Sequence, residues 1–334
     1  MRIFKKILSI FLRVGISVIL LVIVLRFNKI DTHSLMQDIR RADKFMLALA
    51  FGIFLFNYIL SLLRWEMLLK AFKVHLPLKR VITSFAGGTF FNLFLPSTIG
   101  GDFLRSIDLA AHTKKPKEII ATVFLDRLSG YIGLVILVLF SMIIGWPLIH
   151  DKKNILFAIA VITAILSTLL FILFNKFIYS KISRLLSSSG SGKIRELLKD
   201  LHEEIHHFKH HKKVIVNSLI LSLFIQATGP VAFFVIALSL GIKVSPVYFF
   251  IFLPVIGAIT LLPVSIGGLG LREMTTVIFF SQVGISQNLT VAMSLLNTSF
   301  IFVCGALGGL IYVFTVHHRR IQHHKSFPIH TARL

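Results

Sequence analysis

Between short clusters of charge the chain carries six long apolar runs: Ile7–Phe27, Phe45–Leu63, Ile119–Trp146, Ile155–Phe174, Val214–Leu240 and Thr290–Val316. A helix of about 20 apolar residues crosses the roughly 30 Å hydrocarbon layer of a bilayer. Lipid offers no partner to backbone N–H and C=O groups, so only α-helices and closed barrels span it. Barrel strands alternate apolar and polar residues, and these runs do not. The chain is therefore expected to be an all-α, polytopic transmembrane helical bundle. Charged residues make up only 15% of it, against about a quarter in soluble domains, and mean hydropathy is +0.85. The first run follows Arg2, Lys5 and Lys6. It is too long for a signal-peptide core and lacks a small-residue cleavage site, so it reads as an uncleaved helix.

Two further apolar stretches, Val81–Ile99 and Val247–Phe280, contain Pro and paired Gly, which interrupt a regular helix. Lysine and arginine concentrate at the N-terminus, in segments 64–80 and 105–117, in the 175–213 loop and in the tail; the loops around Asp31–Lys44, Asp151–Asn154 and Gly241–Pro246 are shorter or more balanced. The positive-inside rule puts the basic segments and both termini in the cytoplasm. Val81–Ile99, basic on both flanks, then enters and leaves from the cytoplasm, whereas Val247–Phe280 starts and finishes outside. The expected architecture is six full spans plus two re-entrant broken helical hairpins in an inverted repeat. Residues 1–174 form the first membrane half with re-entrant segment 81–99, and 214–316 form the second with broken segment 247–280. Between them, 175–213 is a basic cytoplasmic loop; 317–334 is a basic cytoplasmic tail. Within the loop, 193–211 has helical apolar spacing (Ile194, Leu197, Leu198, Leu201, Ile205, Phe208) and reads as an amphipathic helix on the headgroups.

Lys and Arg total 36 against 14 Asp and Glu, a formal net charge of +22. No basic region is interleaved with a stacking aromatic platform, so nucleic acid is not the expected partner. The excess fits the positive-inside rule and attraction to anionic headgroups. Cys304 stands alone, which excludes a disulfide framework. His202, His206 and His210 fall at helical spacing, but no ligand set completes them, so neither a metal site nor a cofactor is expected.

The sharpest signal is internal. Pro96-Ser97-Thr98-Ile99-Gly100-Gly101 recurs as Pro263-Val264-Ser265-Ile266-Gly267-Gly268, 263 − 96 = 167 residues on, which is half of the 334-residue length. An arginine follows at the same offset each time, Arg105 and Arg272. Paired broken helices in corresponding halves point to a transporter's midplane substrate site. Glycine lets backbone approach a ligand, and a helix starting there aims N–H groups at an anion. Arg105 and Arg272 are thus candidate phosphate ligands, assisted by the backbone of Gly100, Gly101, Gly267 and Gly268. Asp102 and Glu273 sit beside the motifs, and Asp126 and Arg127 lie within the third run, where ionisable residues are functional candidates. The three carboxylates would balance a cationic headgroup or orient the arginines. A structural reading of the same charges pairs arginine with carboxylate across the two hairpins. Asn92, Arg64 and Glu66 are further candidates, with Arg64-Trp65 also reading as an interfacial anchor. No phosphate-cradling Gly-x-x-x-x-Gly-Lys loop or His-Glu-x-x-His is present.

Asn92-Leu93-Phe94-Leu95-Pro96 with Gly100-Gly101-Asp102 and Arg105, then Asp126-Arg127, then Pro263 through Glu273, resembles the lysylphosphatidylglycerol synthase transmembrane (flippase-like) family over nearly the whole chain. In that family the membrane region flips aminoacylated phosphatidylglycerol, and a separate C-terminal soluble domain makes the lipid. This sequence stops at Leu334 just after the last run, so the resemblance implies the translocation half without the aminoacyl-transferase. The expectation is a lipid translocase of a bacterial or archaeal cytoplasmic (inner) membrane. Its partners would be membrane lipids, anionic or aminoacylated, with a second copy of the chain as a further partner. The rival expectations are an integral-membrane transferase on a lipid-linked substrate, with Asp102, Asp126 or Glu273 as base, and an accessory subunit docking through 193–211.

Overall fold

A computed structural model of the chain describes residues 15, 19, 22–26, 30–95, 100–113, 115–174, 212–260 and 265–325. The expected first span lies mostly outside these residues. So do the 175–211 part of the loop with its helix and histidines, the end of the tail, and Pro96–Ile99 and Pro263–Val264 of the two motifs. The described residues are all-helical, without strands.

A short helix α1 (Thr32–Arg41) forms where the sequence reads as a loop. Asp31 starts it, its carboxylate accepting from His33 N at 2.9 Å, and Arg40 and Arg41 sit at its C-terminal end, where cations oppose the helix dipole. Asp43 caps α2 (Lys44–Ala71) in the same way, accepting from Phe45 N at 2.8 Å and Met46 N at 3.0 Å. α2 runs well past Leu63, where the apolar run stops. Arg64 continues the helix because its charge is neutralised inside the bundle, as described below.

α3 (Leu78–Phe91) and α4 (Gly100–Ala110) are the two limbs of the first broken segment. At about 1.5 Å per residue their 14 and 11 residues reach only about 21 and 16 Å, short of the roughly 30 Å hydrocarbon layer. α5 (Pro116–Ile149) has Pro116 at its first turn, where a missing N–H costs nothing. α6 (Lys153–Phe174) follows, then α7 (Lys212–Ser239). The second broken segment repeats the pattern of the first: α8 (Val247–Thr260), a 3₁₀ turn at Ile266–Gly268, and α9 (Leu271–Ser281), again 14 and 11 residues in the limbs. α10 (Gln287–Lys325) closes the bundle. Among the described residues, four helices are long and apolar enough to cross a membrane: α2, α5, α7 and the Gln287–Thr315 part of α10.

α7 packs along α2 and α5, and α3 lies between α4 and α10. The α3–α10 contact is built on absent side chains. A Cβ at Gly305 would stand 2.5 Å from Leu93 Cδ1, and one at Gly308 would stand 2.6 Å from Ala86 O. Small residues allow such close approach between membrane helices, where lipid gives no hydrophobic drive to associate. One apolar core, with Phe233, Phe249, Phe252 and Phe280 at its centre, ties α7 to both limbs of the second broken segment. Another, around Trp65, Leu69, Val81, Leu109 and Ile119, ties α2 and α5 to both limbs of the first.

Candidate functional site

Each break is flanked by a different local device. In the first, α3 and α4 meet with their backbones nearly touching: a Cβ on Gly101 would fall 2.0 Å from Gly88 O. Asn92, just beyond α3, accepts from Gly101 N at 2.8 Å, and Ser84 Oγ donates to Arg105 O at 3.0 Å. In the second, Gly267, Gly268 and Gly270 adopt φ of 59°, 79° and 82°, a left-handed path that glycine takes without steric cost. Glu273 then caps α9, accepting from Gly270 N at 2.6 Å.

The two breaks face one cavity of about 610 Å³. Asn92, Asp102 and Arg105 reach it from the first break, Gly267, Leu269 and Arg272 from the second, and Asp126 and Arg127 from α5. Residues predicted 167 positions apart as equivalents are thus brought to a common space. Gly100, Gly101, Gly268 and Glu273 do not reach its wall. Gly101 instead supplies close packing, and its N–H is already taken by Asn92. Glu273 is fully buried behind the wall, where Thr298 Oγ1 donates to it at 2.9 Å and Ser294 Oγ lies at 3.4 Å.

On the first side the charges form an alternating chain. Asp126 takes Arg64 Nε on Oδ1 and Arg105 Nη2 on Oδ2, both at 2.8 Å. Asp102 lies 3.1 Å from Arg105 Nε and accepts from Arg127 Nε. The order is Arg64–Asp126–Arg105–Asp102–Arg127, so each carboxylate sits between two guanidiniums. Arg105 is further clamped by stacking, its guanidinium 4.3 Å above Trp65 and 5.5 Å from Phe85. Arg64 also donates to Ser222 Oγ at 2.7 Å. Ions taken out of water are costly unless paired and hydrogen-bonded; every charge here is paired, and the buried Arg105 Nε, which makes no hydrogen bond, is met by the Asp102 carboxylate at ion-pair distance alone.

Exposure separates the arginines. The side chains of Arg64 and Arg105 are 8% and 4% exposed, whereas Arg127 is 31% exposed and Arg272 is half-buried. Arg272 differs from the rest in its partners. It donates to Gly267 O at 3.0 Å and Thr298 Oγ1 at 3.3 Å, and no carboxylate among the described residues lies within ion-pair distance of it. Among the described residues, four arginines against two aspartates give the wall 4 − 2 = +2 formal charges. The rest of the wall is largely aromatic and aliphatic, including Phe54, Phe85, Leu93, Leu134, Ile301 and Phe302.

Among the described residues the pairing across the hairpins does not occur: Arg105 pairs with Asp102 and Asp126, not with Glu273. Nor is Arg64-Trp65 an interfacial anchor. Trp65 is wholly buried and Arg64 nearly so, because α2 turns this face toward α5. Glu66 is a surface partner of Lys70 at 2.7 Å. The only sequence sign of Arg64's role was a charge closing an apolar run without a Pro or Gly to end the helix. Tyr58, Thr298 and Gln226, which also line the cavity, had no sign at all.

A family model described as the lysylphosphatidylglycerol synthase TM region matches residues 10–309. A UPF0104 membrane protein of Pyrococcus horikoshii is 24% identical over 324 residues, spanning 90% of this chain and 96% of its own length. No solved structure matches the chain significantly.

Proposed function

The chain belongs to the lysylphosphatidylglycerol synthase transmembrane-region family, and from that premise we propose that it is a lipid translocase. In this reading a phosphate-bearing headgroup passes between leaflets through the cavity shared by the two breaks. The observation that supports it most is the wall itself, which combines arginines with a broad apolar surface. A phospholipid has the same two parts. Guanidinium groups bind phosphate by charge-assisted hydrogen bonds, and aromatic and aliphatic side chains solvate the glycerol and acyl portion.

The arginines divide the work. Arg127 and Arg272 present their donors to the cavity and receive the phosphate. Arg64 and Arg105, the more buried arginines of the wall, hold Asp126 and Asp102, and Asp102 in turn aims Arg127. Asn92 keeps α4 against α3. A transferase on a lipid-linked substrate needs a carboxylate free to act as base. Asp102 and Asp126 are each held by two arginines, which favours translocation.

Leaflet exchange of a fluorescent phospholipid in proteoliposomes tests this reading. A hydrogen bond to a charged group is worth about 1.5–3 kcal/mol. Arg272→Ala and Arg127→Ala are therefore each expected to slow exchange by roughly tenfold or more, with the protein still folded. Exchange at the wild-type rate in both variants overturns the assignment.

A further inference from the structure

We propose that Asn57 and Gln226 form a neutral acceptor site in the cavity wall, which takes the hydrogen-bond-donating end of the headgroup, a hydroxyl or an ammonium. This rests on the translocase reading for its cavity and adds two residues that read the headgroup beyond its phosphate. Both side chains line the cavity and are half-buried. Asn57 Nδ2 donates to Ile225 O at 2.7 Å and to Thr228 Oγ1 at 2.6 Å, and Gln226 Nε2 donates to Gly130 O at 2.8 Å. A backbone carbonyl only accepts, so each amide is locked with its nitrogen on the protein and its oxygen turned the other way. Neither oxygen has a hydrogen-bond partner among the described residues, and neither is among the buried polar atoms left without one. Each oxygen therefore reaches open space, and the open space beside both residues is the cavity.

The two amides sit together, one level away from the charge chain. Arg64 bonds Asp126 and Ser222, whereas Asn57 bonds Ile225 and Gln226 bonds Gly130, so α2, α5 and α7 carry both levels. Asn57 is 64 − 57 = 7 residues from Arg64, Gly130 is 130 − 126 = 4 from Asp126, and Gln226 is 226 − 222 = 4 from Ser222. At about 1.5 Å per residue, the amides lie roughly 6–10 Å along the bundle from the charges. A headgroup whose phosphate rests on Arg127 extends its far end into that layer. Chemistry separates the two levels as well. Asp102 and Asp126 are each shared between two arginines. The amide oxygens carry no such commitment, and a neutral carbonyl accepts from a hydroxyl or an ammonium alike. A buried polar group left without a partner is costly, so a donor-bearing headgroup needs acceptors of this kind once it leaves water.

The experiment compares equilibrium binding of three labelled lipids to the full chain in non-ionic detergent: phosphatidylethanol, phosphatidylglycerol and its lysyl ester. The first has a phosphodiester with no donor beyond it, the second adds hydroxyls, and the third adds ammonium groups. At least one donor-bearing lipid should bind about tenfold tighter than phosphatidylethanol, the factor that two ordinary hydrogen bonds give. Asn57→Leu combined with Gln226→Leu should remove most of that ratio, and either single variant should lower it by roughly threefold. Ile225 O keeps Thr228 Oγ1 at 2.7 Å in these variants, and helical circular dichroism checks their folding; if the double variant loses helix, the single variants are read instead. A preference for phosphatidylglycerol assigns the site to hydroxyls and one for the lysyl ester to ammonium, and either supports the inference. Equal binding of all three lipids overturns it, as does a preference that survives the substitutions; leaflet exchange in phosphatidylcholine vesicles then leaves translocation standing. No binding of any lipid overturns the inference too. A preference that falls with the substitutions while no lipid exchanges supports the acceptor site and overturns translocation.

Discussion

Replacing Asp126 with Asn removes the hub of the charge chain while keeping the side chain's shape. Two arginines lose their shared counter-ion at once: Arg64, with Asp126 as its ion-pair partner at 2.8 Å, and Arg105, which retains Asp102 at 3.1 Å. Their side chains are 8% and 4% exposed, so water cannot take the place of the lost carboxylate. Removing one partner of a buried ion pair costs about 3–5 kcal/mol. The Asn carbonyl still accepts one hydrogen bond, which places Asp126→Asn toward the lower end, about 3 kcal/mol. The assay is unfolding by sodium dodecyl sulfate in mixed micelles, followed by the loss of helical circular dichroism. Arg64→Met in the same background removes one of the stranded charges. The double variant should therefore be more stable than the sum of the two single losses, with a coupling of roughly 1–3 kcal/mol. A loss under about 0.5 kcal/mol for Asp126→Asn, or strict additivity in the double variant, refutes the idea that these charges hold one another in a dry interior.

Three other substitutions probe separate parts of the site. Gly101→Ala places a Cβ 2.0 Å from the Gly88 carbonyl. Backbone cannot yield there as a flexible side chain would, so a loss of about 1–3 kcal/mol and slowed exchange are expected in the same two assays. Glu273→Ala strands the buried Gly270 N–H and is expected to cost about 1–3 kcal/mol in unfolding. Because Glu273 lies behind the wall, lipid selectivity should not change in folded protein. Asp43→Ala removes a cap on Phe45 N and Met46 N far from the cavity wall, and a loss of about 1 kcal/mol with unchanged exchange is the expected control.

How far the site was legible differs residue by residue. The repeat itself could be seen because Pro and paired Gly interrupt apolar runs, and backbone broken inside a membrane needs a reason. Both breaks do contribute to one cavity, and Asn92, Asp102, Arg105, Asp126, Arg127, Gly267 and Arg272 all line it. The glycine N–H groups expected to meet an anion were misjudged in one respect: Gly101 gives its N–H to Asn92. Spacing along the chain showed that a helix begins near Gly100, but not which side chain reaches its first turn. Glu273 looked equivalent to Asp102 because each adjoins a Gly pair and an arginine. Asp102 lies three residues before Arg105 and Glu273 one residue after Arg272, so in the register of the repeat they stand 3 + 1 = 4 positions apart, about one helical turn along the axis. That turn separates a cavity carboxylate from a buried cap.

The sequence by itself determined that this protein lives in a membrane as helices and where its backbone is broken. Both follow from local chemistry: long apolar runs exclude charge, and Pro and Gly interrupt regular hydrogen bonding wherever they occur. Only the tertiary structure decided what the charges do. Arg64 and Asp126 are 62 residues apart, and Arg64 and Ser222 are 158 apart. Their meeting depends on how α2, α5 and α7 are rotated against one another, and no local pattern encodes that rotation. It takes Arg64 from the end of an apolar run into the interior, commits both wall aspartates to arginines, and leaves Arg272, among the described residues, without a carboxylate at ion-pair distance.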